Sequence, residues 1–164
     1  MTSRATHAVL LAASALLLLG AAALPHDIKK HPECVYCGMD RDRFSASRML
    51  VEYDDGKAVP TCSIHCTGID LALHPHKGVR ASLVGDYNTR VLLDAEKAFW
   101  VLGGDRMGVM SLRGKWAFGD RKDAEAFLKE HGGSVVSYDE VMKATFQDMY
   151  EILRPLCEEC PSRT

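Results

Sequence analysis

The chain has no surplus of charge of either sign. Its 20 Lys and Arg residues stand against 22 Asp and Glu, a formal net charge of −2. That balance removes the electrostatic case for nucleic acid or an anionic membrane surface as a partner. No nucleophile, base and orienting residue form a catalytic set, and no glycine loop of the phosphate-cradling kind occurs. The sequence therefore points away from an enzyme. Cysteine is absent before Cys34, which leaves no lipid-attachment cysteine beside the N-terminal apolar run.

Charge is also missing from Ala8 to Leu24. Arg4 precedes this run, and Ala21, Ala22 and Ala23 close it before Leu24-Pro25. A basic start, an apolar middle and a small-residue end make a secretory signal, here residues 1–23, and predict an exported, periplasmic protein. The run is slightly short of the roughly 20 apolar residues that span a membrane. A retained N-terminal anchor is the alternative. Loss of residues 1–23 removes Arg4 and no acid, moving the charge from −2 to −3. The remaining stretch, about 140 residues, suffices for one compact domain or two very small ones.

What is present in quantity is sulfur. Cys34-Val35-Tyr36-Cys37-Gly38-Met39 and Cys62-Ser63-Ile64-His65-Cys66 bring four thiols, one thioether and one imidazole into a short stretch. Thiolate and thioether donors favour Cu(I), while four thiolates, or thiolates with imidazole, also suit Zn(II). A disulfide framework is the plain reading of six cysteines in an exported chain. The Cys-x-x-Cys spacing of Cys34/Cys37 and Cys157/Cys160 is tight for a stapling disulfide and better suited to metal or redox chemistry. Gly38 lets the first segment turn sharply, and Met39 is near enough to join Cys37. Cys62, His65 and Cys66 share one face if a helix begins there. Each also has a plainer reading: Met39 as core filler, His65 as a surface residue, and Met107 and Met110 as ordinary core. His74-Pro75-His76 reads as a helix exit. Cys157 and Cys160 form a tail disulfide or a second soft site.

The patterning predicts an α+β fold. Residues 24–33 read as a linker. Ser47–Tyr53 alternates as a strand, Asp54-Asp55-Gly56 turns, and Lys57–Thr61 returns. Ser63 caps a helix to about Leu73, and Val79–Val84 is a third strand. A similar order follows: Phe99–Leu102, Lys115–Phe118, a helix Arg121–Glu130 capped by Asp120, and Ser134–Ser137. Tyr138–Leu153 closes the chain as a helix stopped by Pro155. The expected architecture is two small ββαβ units, 34–90 and 91–137, followed by a closing helix and tail over 138–164.

The ordered set Cys37-Gly38-Met39, Cys62-Ser63-Ile64-His65-Cys66 and Leu92–Val101 resembles the NosL family, copper-binding accessory proteins for nitrous oxide reductase. The likeness continues through Met107-Gly108, Trp116-Ala117-Phe118, Asp123–Phe127 and His131-Gly132-Gly133, covering roughly residues 34–142. It implies two ββαβ units and a Cu(I) site using Cys37 and Met39, with Met107 as a third sulfur. Family members are commonly lipoproteins, which this chain departs from. It also adds Cys34, Cys62 and Cys66, a set that resembles treble-clef metal knuckles.

These features predict a periplasmic Cu(I) metallochaperone. Its candidate ligands are Cys37, Met39, Met107, Cys34, Cys62, His65 and Cys66. A membrane copper donor and a copper-accepting enzyme, by resemblance nitrous oxide reductase, are its expected partners. One alternative is a module stabilised by Zn(II) on Cys34, Cys37, Cys62 and Cys66. The other is an exported thiol–disulfide oxidoreductase using Cys34/Cys37, which needs a helix beginning between them, where Gly38 disfavours one.

Overall fold

The computed structural model describes residues 25–158. The expected signal segment 1–23 and Cys160 lie outside the described residues. Among those described, no helix is long and apolar enough to cross a membrane.

The segment expected to be a linker instead contains a short helix, α1 (His26–Lys30). The reason is charge. Asp27 of α1 accepts bonds from Arg48 Nε at 2.8 Å and Arg41 Nη2 at 3.1 Å, and both arginines are fully buried. Ile28 adds an apolar anchor from the same turn. Buried guanidinium groups need a compensating anion, so α1 is tied to the body.

Strand β1 (Met49–Tyr53) and β2 (Ala58–Thr61) form the expected hairpin, with Val51 opposite Val59. Gly56, at φ +81°, supplies the left-handed residue of the turn. Helix α2 (Ile64–Leu73) follows. Ser63 takes the N-cap position in extended backbone, but its side chain makes no capping bond. Strand β3 (Val79–Gly85) then pairs antiparallel with β1. The sequence assigns residues from 91 onward to the second unit. Strand β4 (Leu92–Asp94) nonetheless pairs with β3 and completes a sheet ordered β2-β1-β3-β4. Asp86 turns the chain back by accepting bonds from the amides of Asn88 and Thr89.

The second unit repeats the ββαβ order. Strands β5 (Phe99–Leu102) and β6 (Lys115–Phe118), helix α3 (Arg121–His131) and β7 (Ser134–Val136) give a sheet ordered β6-β5-β7. Asp120 caps α3 by accepting from Lys122 N at 2.7 Å. The closing helix, α4 (Tyr138–Glu158), does not stop at Pro155. Proline fits helical φ, and in the last turn of the helix its missing amide donor and its crowding of the carbonyl four residues back disturb few further bonds.

One core joins the two units. Met49, Ile64 and Val84 of the first meet Trp100 and Ala117 of the second and Val141 of α4. Helix α4 lies close along α2, because a Cβ at Gly68 would come within 3.2 Å of the Met149 terminal methyl. This packing fixes α2, which carries Cys66 and is directly preceded by Cys62, two of the clustered cysteines described next.

Candidate metal centre

Residues 33–40 form a knuckle. Cys34 N–H donates to the Met39 carbonyl at 2.9 Å, Gly38 N–H donates to the Cys34 carbonyl at 2.9 Å, and Glu33 bridges Asp40. Gly38 takes φ +70° to close it. Val35 N–H ties the knuckle to β2 through the Pro60 carbonyl at 3.1 Å. Arg41 then clamps it from behind. Its guanidinium donates to the carbonyls of His31 (2.7 Å), Thr61 (3.1 Å) and Met49 (3.1 Å) as well as to Asp27. The start of α2 faces the knuckle, held by Ser47 Oγ donating to the Cys62 carbonyl at 2.9 Å.

The consequence is a tight sulfur cluster. The Sγ atoms of Cys34, Cys37, Cys62 and Cys66 all lie within 4.8 Å of one another. Cys37 is 3.5 Å from Cys62 and 3.8 Å from Cys66, and Cys62 is 3.8 Å from Cys66. All four are free thiols; three are buried and Cys37 is exposed. Four sulfurs about 2.3 Å from a tetrahedral ion would stand about 3.8 Å apart, so the spacing is that of a soft-metal cage. Met39, Tyr36, Phe44 and Val109 pack around it.

The thiols share their protons unequally. Hydrogen bonding to Cys66 outweighs burial and pulls Cys62 down to about 6. Partial desolvation against the inner thiols pushes Cys37 up to about 11, and hydrogen bonding to Cys62, then burial, push Cys66 upward. A metal ion binding here displaces the remaining protons, because thiolate is the ligand.

The sequence profile of the NosL family matches residues 25–146. The chain belongs to the NosL family. Its structure is also similar to the crystal structure of the copper chaperone NosL from Shewanella denitrificans. The TM-score is 0.55 at 25% identity, covering 73% of this chain and 93% of that one. A search of curated proteins gives no match.

Against this NosL frame, the expected ligands separate into three groups. The four cysteines converge, and Met39 packs on them. His65 is not among the converging groups. Its Nδ1 is buried without a hydrogen-bond partner, and burial, followed by the charge of Lys115, holds its pKa down. Met107 is 67% exposed in the loop between β5 and β6 and is not among the residues packed on the cysteines. That loop touches the cysteines through Val109 instead. The helix required for a redox Cys34/Cys37 pair is absent, since residues 35–37 form a turn.

Sequence reading missed Arg41, Tyr36 and Asp70. Asp70 follows Cys62 and Cys66 at helical spacing, a polar residue continuing a buried stripe, and that was the available signal.

Proposed function

We propose that this chain is an exported Cu(I) chaperone that carries copper to a copper enzyme, with nitrous oxide reductase as the acceptor the family resemblance implies. Copper is the cargo and no bond-making chemistry is assigned to the protein. The observation that carries the reading is a four-sulfur cluster of which one cysteine, Cys37, lies at the protein surface. Family membership and the likeness to a copper chaperone support copper as the metal.

The arrangement suits handover. Cys34, Cys62 and Cys66 hold the ion from within, and soft sulfur selects Cu(I) against hard cations. Cys37 stands at the surface, where an incoming thiolate, thioether or imidazole can take its place before the inner sulfurs let go. Met39 at the rim is a further soft donor. Periplasmic delivery rests on the N-terminal signal pattern, and a membrane copper donor is the corresponding upstream partner.

The cage spacing equally suits four-thiolate Zn(II), which makes a zinc-stabilised module the second reading. Metal analysis of protein isolated anaerobically from copper-supplied cells separates the two. The chaperone reading expects about one copper per chain, and Cu(I) displacing any zinc. Stoichiometric zinc that Cu(I) does not displace favours the structural module.

A further inference from the structure

A hydrogen-bonded pair beside the cluster, Tyr36 and Asp70, is not explained by metal binding itself. Tyr36 directly precedes Cys37 in the knuckle. Asp70 lies four residues beyond Cys66 on α2, on the same helical stripe. Cys37 meets Cys66 at 3.8 Å, and on the next turn Tyr36 OH donates to Asp70 Oδ1 at 2.5 Å. Asp70 is 1% exposed, and its second oxygen accepts from Tyr53 OH of β1 at 2.5 Å. His74 Nδ1 lies 3.2 Å from Oδ1. The carboxyl group is thus held by the sheet on one side and offers its other oxygen to the knuckle.

We infer that Asp70 and Tyr36 form a latch that sets how readily Cys37 leaves the cluster. Both are positioning residues, and neither touches a metal ion. The inference rests on the chaperone reading for its use, but the latch itself is a property of the metal-free protein. Val35 ties the knuckle to β2 at a backbone amide, and the backbone bonds between Cys34 and Gly38 and between Cys34 and Met39 close it on itself without reaching α2. Of the side chains in residues 35–38, only that of Tyr36 hydrogen-bonds to α2 beyond the sulfurs. Opening this bond would let Cys37 swing outward while Cys34, Cys62 and Cys66 stay in place. The strength of the latch then governs the rate of handover more than the depth of the cage.

The test uses the full chain carrying Tyr36→Phe, Asp70→Asn or Tyr53→Phe. Tyr53→Phe removes the other tyrosine from the same carboxyl without touching the knuckle. The first readout is the labelling rate of Cys37 by a thiol reagent in the reduced, metal-free protein, located by peptide mass. The second is the rate of Cu(I) transfer to a chelator. Losing one buried hydrogen bond predicts a labelling rate about three- to tenfold faster in Tyr36→Phe, a smaller increase in Asp70→Asn, whose neutral amide still meets Tyr36, and Tyr53→Phe near the parent. Copper transfer from Tyr36→Phe should accelerate by a similar factor. Unchanged Cys37 labelling in folded Tyr36→Phe overturns the latch, as does equal acceleration in Tyr53→Phe, which would mean general loosening. Faster labelling in a protein whose parent binds no copper would keep the latch and remove the chaperone reading.

Discussion

Within the cluster, chemistry turns on which sulfur is exposed. Cys37 is the exposed thiol of the cluster and Met39 a thioether packed on it, whereas Met107 is exposed on its loop. The two methionines should therefore behave differently. Leu keeps the volume of Met and removes the donor sulfur, so folding is conserved in both variants. Met39→Leu should weaken Cu(I) binding about tenfold in chelator competition. Met107→Leu should bind like the parent. The thiols themselves were legible in the sequence, because soft donors at Cys-x-x-Cys spacing have few other uses. That Met39 packs on the cysteines while Met107 lies exposed was not, since it depends on where a glycine-bordered loop comes to rest. That loop sends Val109 to the cysteines and leaves both neighbouring methionines exposed.

Among the elements, the short helix α1 contributes more than its length suggests. Asp27 is the anion for two fully buried arginines, one of which, Arg41, clamps the knuckle. Burial alone would raise the Asp27 carboxyl, but hydrogen bonds and charge from Arg48 and Arg41 hold it below its ordinary 3.8. A depressed carboxyl stabilises the fold above its unfolded value, and that stability is lost as pH falls below it. Asp27→Ala should cost about 3 kcal/mol in denaturant unfolding at neutral pH, because two buried cations lose their partner. The parent should lose part of that advantage below about pH 4. The strands and helices of both ββαβ units could be read from alternation, turn residues and the Asp120 cap. Helix α1 could not, because five polar-rich residues carry no periodicity and the arginines that order it lie 14 and 21 residues away. Strand β4 escaped for a similar reason: three residues are too few to show which sheet they join.

For the whole molecule, the second unit and α4 act as the support on which α2 rests. Asp148 of α4 binds Lys115 of β6 at 2.5 Å and Arg113 Nε at 2.6 Å, and Arg113 also donates to the Ala144 carbonyl at 3.0 Å. Lys115 is buried, so Asp148→Ala should destabilise the protein by about 3 kcal/mol in thermal or denaturant unfolding. Replacing both partners, as Lys115→Met with Asp148→Leu, should restore most of that loss. The two-unit order was legible in the sequence, but the single core joining Met49, Trp100 and Val141 was not, since long-range packing leaves no local pattern. The proposed function stands on Cu(I) binding by the four-cysteine cluster. Anaerobic competition of the full, reduced chain with a chromophoric Cu(I) chelator, at pH 6 and pH 8, tests it most directly. The prediction is about one Cu(I) per chain, held more tightly at pH 8 because binding displaces thiol protons, and lost when Cys34, Cys37, Cys62 and Cys66 are all changed to Ser. Copper retained by that fourfold variant at the parent's affinity would contradict the claim and place the metal elsewhere in the chain.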